Sequence, residues 1–242
     1  MCGRFVAAGT EHDVMAFFSV AESRAEALAP SWNVAPTDPV RIVLEEGAAA
    51  RRVLRTARWG LVPSWAKDVS GGARLINARS ETFTEKPSFR AAAARRRCLV
   101  PADGYYEWQA GVDPVTGRAS KTPFFLHGAD AGPLAFAGLY ELWRDRAVPE
   151  GDPASWVWST TILTSAAADA LGHIHDRTPV VLPADLWAAW LDPDATDVAH
   201  ASAVVDAAPD PHLVPRQVSR AVGSVRVNHP GLVEPVTPDD TL

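Results

Sequence analysis

Cys2 sits directly behind Met1, and only one other cysteine, Cys98, occurs in the chain. Chain ends are usually frayed, so a packing role alone does not account for a cysteine there. If Met1 is removed, Cys2 presents a free α-amine and a thiol on adjacent carbons, a reactive pair that a mid-chain cysteine cannot offer. If Met1 stays, that amine is blocked. Cys98, between "RRR" and "LVP", sits in a strand-like setting and reads as a small buried apolar residue.

Five further stretches are richer in polar and aromatic residues than a core requires: "WNVAPT" (32–37), "RWGLVPSW" (58–65), "INARSET" (76–82), "CLVPADGYYEW" (98–108) and "HIHDRTP" (173–179). Glu107 lies between Tyr106 and Trp108. In an alternating strand it either faces water, or is partly buried with a raised pKa that makes it a usable general acid or base. Trp65 is either a core plug or, beside Arg58 and Lys67, a stacking surface for bases. Asn77 and Arg79 precede Ser80, which reads as a helix cap. His173 and His175 lie in a polar helix exit; two histidines alone could ligate a metal, but no carboxylate or cysteine cluster completes a site, so neither metal nor cofactor is expected.

These side chains must be positioned by elements whose pattern is mixed. "RFVAA", "VRIVLEE", "RRVLRTARWG", "GYYEWQ", "TPFFLHG", "LAFAGLYELW" and "SWVWSTTILTS" are rich in β-branched and aromatic residues and read as strands. "EHDVMAFF", "PSFRAAAARR", "AAADALG", "ADLWAAWL" and "DVAHASAVV" read as helices. "GVDPVTGRASKT" has the Gly, Pro and Asp of a long hairpin loop. Strands come in consecutive pairs without a βαβ alternation, which predicts an α+β domain with mainly antiparallel twisted sheets and short flanking helices. No repeat or long linker interrupts residues 1–242, so one domain is expected, with its core over about 2–236.

With 47% hydrophobic residues over 242 positions, the chain has material for a sizeable core. It contains no eighteen-residue apolar run, and charged residues occupy the place a signal peptide would need, so no membrane segment and a cytoplasmic address are expected. Two cysteines are too few for a disulfide framework. The net charge of -6 conceals an uneven spread: residues 51–100 carry twelve Lys or Arg against Asp68, Glu81 and Glu85. Such a block is either a phosphate-attracting surface or a set of solvated strand and helix faces.

Taken together, "MCGRF", "WNVAPT", "RWGLVPSWAKD", "INARSET", "CLVPADGYYEW", "FAGLYELW", "HDRTP" and "VSRAVGSV" resemble the SRAP (SOS-response-associated peptidase) family of abasic-site processing proteins, in the family's order and over nearly the whole chain. The resemblance implies a single α+β domain with a basic cleft for single-stranded DNA, possessing an N-terminal cysteine that bonds covalently to an abasic site. By motif match, Cys2, Asn77, Glu107 and His175 correspond to the catalytic set. Arg4, Trp65, Arg79 and Arg177 match positions of DNA contact, with Asn33 and Thr164 weaker matches to the same surface. Thr178 departs from the pattern, standing where the family usually has methionine.

The implied chemistry suits these residues. An α-amine with a pKa of about 7.7–8.0 is partly neutral near neutrality and can attack the aldehyde of an opened abasic sugar. The adjacent thiol then closes a thiazolidine intramolecularly, with an effective molarity on the order of 10⁵ M or more. The expected partner is abasic single-stranded DNA, including single-strand/duplex junctions, bound by a monomer that is nucleoid-associated when on DNA. Strand cleavage by β-elimination and self-reversal are possible accompanying activities. Two rival readings are an N-terminal-nucleophile peptidase acting on its own terminus and a non-catalytic single-strand binding module.

Overall fold

The computed structural model describes residues 2–47, 51–112, 116–167 and 172–236. Its strands are β1 (Phe5–Ala7), β2 (Glu22–Ser23), β3 (Ser31–Val34), β4 (Pro39–Glu46), β5 (Arg51–Trp59), β6 (Asn77–Arg79), β7 (Arg97–Ala102), β8 (Gly104–Val112), β9 (Ala119–Gly128), β10 (Leu134–Arg144), β11 (Trp156–Ala166), β12 (Arg177–Pro179) and β13 (Leu213–Gln217). The helices are α1 (Glu11–Phe17), α2 (Arg90–Arg95), α3 (Ala184–Leu191) and α4 (Val198–Asp206). All seven expected strands form. Four of the five expected helices form, and most of "AAADALG" lies outside the described residues.

Five strands, in the order β13-β9-β8-β1-β3, make an antiparallel sheet that gathers the start, middle and end of the chain. A second sheet runs β12-β11-β10-β7-β4-β5-β2 and closes on itself, because β5 pairs with β4 on one side and, in parallel, with β11 at Ser159 and Thr160. Closure removes the open edges of β5 and β11 and yields a small barrel. β6 adds to β11 in parallel over Ile162–Thr164. The antiparallel expectation thus holds for most pairs, while short parallel pairings at β5, β6 and β2 supplement it.

Central strands are buried on both faces, which is why they read as near-continuous apolar runs. Val40, Ile42 and Leu44 of β4 join Cys98 and Val100 of β7 in a cluster shared with Phe5, Tyr105 and Leu126 of the five-stranded sheet. Val43 and Leu99 face the opposite way and pack with Trp187 and Trp190 of α3 and with α4. Helix α1 starts where it does because Thr10 and Asp13 form a reciprocal capping box. Burial pushes the Cys98 thiol up to about 12, so this residue is inert packing as expected.

The segment between β5 and β6 leaves the barrel and returns to it at one narrow neck. Gly60 N–H donates to the Thr160 carbonyl, Leu61 N–H to the Leu75 carbonyl, and Trp59 Nε1–H to the Ile76 carbonyl at 3.0 Å. At this neck Gly60 and Gly72 lie back to back: a Cβ on Gly60 would stand 2.6 Å from the Gly72 carbonyl oxygen, and its φ is +124°. No L side chain fits there without shifting backbone. Ser80 caps no helix. The chain runs from β6 through turns to α2, whose N-cap position is Phe89, so Asn77 and Arg79 sit on a strand.

Gly60→Ala is expected to destabilise the fold by about 1–3 kcal/mol. Gly71→Ala, whose Cβ would meet nothing within 4 Å, is expected to stay within about 0.5 kcal/mol. Urea melts of both variants check the pair, and equal stabilities would remove the neck from the account.

Candidate active site at the chain start

Cys2 precedes β1 and is completely buried, in the cluster with Phe5, Trp59, Tyr105 and Ile174. Asn77, at the start of β6, donates from Nδ2 to the Cys2 carbonyl at 2.7 Å. Trp59 secures the Ile76 carbonyl one residue earlier, so the neck described above fixes where Asn77 stands. Asn77 Oδ1 is buried and takes no hydrogen bond among the described residues, which leaves an acceptor beside the chain start.

Glu107 on β8 is 4% exposed, so the buried alternative is the one the fold adopts. Burial raises its pKa, with the charges around it, His175 included, pulling the other way. The Cys2 thiol is also held well above its ordinary range, by burial first and by the Glu107 charge second. His175 Nε2 stands 4.0 Å from Glu107 Oε2, wide of a direct hydrogen bond but within reach of its charge. His175 Nδ1 accepts the Arg177 backbone N–H at 3.0 Å, which leaves the ring hydrogen of neutral His175 on Nε2, the nitrogen facing Glu107. Asp176 Oδ1 lies 2.9 Å from the same Nδ1. The two contacts are alternatives: neutral imidazole accepts from the amide, and imidazolium donates to the carboxylate.

The expected DNA-contact residues divide. Trp65 is 67% exposed and Arg79 is exposed, both in open positions. Trp65 lines a groove of about 590 Å³ with Lys67, Arg144 and Arg146 and is not a core plug, whereas Trp59 is one. Arg4 donates to Asn33 Oδ1 at 2.7 Å and to the Val222 and Gly223 carbonyls. Asn33 is buried, and its Nδ2 donates to the carbonyls of Val222, Ser224 and Val227. Thr164 is fully buried beneath Arg177, which donates to both its oxygens. Asn33 and Thr164, expected as weaker matches to the DNA-contact surface, are thus buried, and their oxygens accept hydrogen bonds from Arg4 and Arg177.

The basic block is corrected in part. Arg52 pairs with Glu45, Arg55 with Glu46, and Arg96 with Glu141; Arg58 donates to the Thr37 carbonyl. Arg97 is buried under the carbonyls of Ala93, Ala94, Trp190 and Asp192. Five of the twelve cations thus serve the fold. Of the histidine pair, His175 reaches the site, while His173 is exposed and contributes its carbonyl to Gln109. Among the described residues, no three His, Cys, Asp or Glu side chains converge as metal ligands.

Two participants escaped the sequence reading. Glu81 forms a two-pronged ion pair with Arg177 and has its carboxyl lowered chiefly by that guanidinium. It lies two residues after Arg79 inside "INARSET", and its pairing with Arg177, 96 residues away, is not written in that stretch. Tyr105, two residues before Glu107, hydrogen-bonds Thr178, and only the three-dimensional pairing brings those two together.

Three comparisons bear on this geometry. Residues 1–225 match the family described as SOS response associated peptidase (SRAP). The chain is 37% identical over 235 residues to the Abasic site processing protein YoqW of Bacillus subtilis, covering 97% of this chain and 99% of that protein. It is 29% identical to the Abasic site processing protein HMCES of Pongo abelii, covering 86% of this chain and 65% of that one. A solved structure of a protein from Bacteroides thetaiotaomicron shares the fold, with a TM-score of 0.79 at 21% identity, over 98% of this chain and all of the other.

The raised Glu107 carboxyl has a stability consequence. The folded state binds this proton more tightly than the unfolded chain, whose glutamate titrates near about pH 4.3, so stability is lost as pH rises from that value through the folded one. Glu107→Gln is therefore expected to gain thermal stability over the unaltered protein by a margin that widens from about pH 4 to about pH 8. Calorimetry across that range checks it; a margin that does not change with pH would place the carboxyl at its ordinary value.

Proposed function

Starting from the fact that the chain belongs to the SOS response associated peptidase (SRAP) family, we propose that it processes abasic sites in DNA by forming a covalent thiazolidine between Cys2 and the sugar aldehyde. The observation that supports the reading is the Asn77 hydrogen bond to the Cys2 carbonyl, with Glu107 near enough for its charge to act on the Cys2 thiol and 4.0 Å from His175 Nε2. Removal of Met1 is part of the proposal, since it frees the amine that the chemistry needs.

In the first step the Cys2 amine adds to the aldehyde carbon, giving a carbinolamine. The acceptor Asn77 Oδ1 orients the amine. Loss of water to form the imine requires a proton for the departing hydroxyl, and a carboxyl whose pKa burial has raised stays protonated closer to neutral pH and can supply it. His175 Nε2–H supports that proton transfer from the side facing Glu107. The Cys2 sulfur then adds to the imine carbon, its proton passes to the nitrogen, and the five-membered ring closes. Until closure the imine acidifies the neighbouring sugar carbon, so β-elimination competes as a lyase side reaction; reversal runs the same protons backwards.

Thiol protonation separates this reading from the peptidase alternative. A cysteine peptidase needs a thiolate, and such thiols have lowered pKa values beside cations or helix N-termini. Here burial and the Glu107 charge hold the thiol up. A nucleophile that acts first through nitrogen, and through sulfur only inside an already formed imine, tolerates that environment.

Single-stranded DNA is held, in this proposal, by Arg4, Arg79 and Arg177 on phosphates, with Trp65 stacking on a base. Arg177 must first exchange Glu81 for phosphate. Arg177 is mostly buried but Glu81 is half exposed, so releasing the pair costs on the order of 1 kcal/mol. Glu81→Gln is accordingly expected to tighten binding of intact single-stranded DNA by about 1.5- to 5-fold at fixed salt. Anisotropy titrations read this, and unaltered or weaker binding would remove Arg177 from the phosphate contacts.

The covalent step has its own series. Cys2→Ala is expected to abolish the denaturation-resistant adduct with an abasic oligonucleotide. Cys2→Ser is expected to keep a borohydride-trappable imine while losing the stable product, with intact mass reporting both the adduct and the absence of Met1. A stable adduct from Cys2→Ala overturns the assignment, and binding of intact and abasic strands alike without any adduct in the unaltered protein would leave the non-catalytic module standing.

A further inference from the structure

The sequence singles out Thr178 as a departure from its family's pattern, and the fold gives that departure a partner. Thr178 on β12 and Tyr105 on β8 are both essentially buried, at 2% and 1% exposure. Their hydroxyl oxygens lie 3.0 Å apart. Thr178 Oγ1 also stands 3.4 Å from the Pro179 carbonyl, which can only accept. The consistent arrangement has Thr178 donating to that carbonyl and accepting the Tyr105 O–H.

Both residues are tied to the proposed proton-transfer pair by short, stiff connections. Tyr105 is two residues from Glu107 on the same strand, and side chains at that spacing share a face. Thr178 is adjacent to Arg177, whose backbone N–H donates to His175 Nδ1 at 3.0 Å. The path therefore closes on itself: Glu107 along β8 to Tyr105, across the hydroxyl bond to Thr178, back one residue to Arg177, through its amide to the His175 ring, and from Nε2 across 4.0 Å to Glu107. β8 belongs to the five-stranded sheet and β12 to the barrel sheet, so the hydroxyl bond joins the two sheets beneath the site.

We propose that the Tyr105–Thr178 hydroxyl pair is a positioning clamp that sets the separation of Glu107 and His175, and with it the rate of the covalent step, without touching substrate. This rests on the abasic-site reading for its rate readout and on geometry alone for its structural one. Replacing the threonine hydroxyl with a methyl leaves a buried tyrosine O–H without its acceptor. β12 or Tyr105 then shifts to find another partner, and the Glu107–His175 distance moves with it. Asp176, whose Oδ1 lies 2.9 Å from His175 Nδ1, and the Arg177–Glu81 ion pair are not altered by the substitution.

The test compares Thr178→Val, Thr178→Ser and Tyr105→Phe with the unaltered protein. Single-turnover adduct formation at saturating abasic single strand is expected to fall on the order of tenfold in Thr178→Val and Tyr105→Phe, inside the hundredfold that a misplacement of about 1 Å can cost. Thr178→Ser, which keeps the hydroxyl, is expected to stay within about twofold. The double variant Thr178→Val/Tyr105→Phe should be no slower than either single one, because one bond is lost in all three. Affinity for intact single strand should not change. In parallel, NMR titration of the His175 ring should give a midpoint displaced in Thr178→Val and restored in Thr178→Ser. An unaltered rate in Thr178→Val, or losses that multiply in the double variant, overturns the clamp. If the unaltered protein makes no adduct, the abasic-site reading fails, and the His175 titration alone decides the clamp: an undisplaced midpoint in Thr178→Val refutes it. Should Thr178→Val not fold, Tyr105→Phe carries the same measurements.

Discussion

A hydrogen bond of 2.7 Å from Asn77 to the Cys2 carbonyl holds the beginning of the chain in the interior. Two or three residues at a terminus ordinarily retain their conformational entropy, and fixing each backbone costs roughly 1–2 kcal/mol. Here that cost is offset by burying Cys2 and Phe5 completely and by the edge-to-face contact of Phe5 with Trp59. Asn77 can serve only because Trp59 grips the preceding carbonyl and because the Gly60–Gly72 approach shuts the neck of the intervening segment. Removing water from this region is also what raises the Glu107 carboxyl and the Cys2 thiol. Anchoring and chemical tuning are thus one act of burial.

Guanidinium groups are used in two distinct ways. Arg97 is spent on four backbone carbonyls near the end of α3 and around α2, where no intrahelical partner exists. Arg4 and Arg177 are instead held from behind by Asn33 and Thr164, with part of each group still turned outward. A side chain whose rotamer is already fixed loses less entropy when it meets a phosphate. If Arg4 and Arg177 hold phosphates as proposed, the buried neutral residues would contribute through the arginines they orient.

Much of the architecture was legible in the sequence. Strand β10 and the middle of β11 announce themselves because both faces are buried in β-branched, apolar and aromatic runs, while β4 and β5 show through their β-branched and apolar residues despite arginines such as Arg41 and Arg55. β6 and β12 were not legible: three residues each is too short for a period to show, and both exist by adding to β11. Ser80 misled because Ser before an apolar stretch is a helix-start signal, and here the signal stands ten residues ahead of the helix. Of the site, Cys2, Asn77, Glu107 and His175 were named from motifs, and the fold brings their neighbourhoods together. The burial of Asn33 and Thr164 depends on partners 189 and 13 residues away, and no local pattern encodes it.

The C-terminal stretch from Val222 to Val227 is gripped by Asn33 and Arg4, and β13 lies at the opposite edge of the sheet that contains β1. The barrel can close from residues made early and midway through synthesis, but the latch on Arg4 needs residues beyond 221. Until those residues dock, a closed barrel would coexist with an unlatched Arg4. The surroundings of the first strand are thus completed by carbonyls 218 and 219 positions further along the chain, so the order in which the segments fold decides when Arg4 is held.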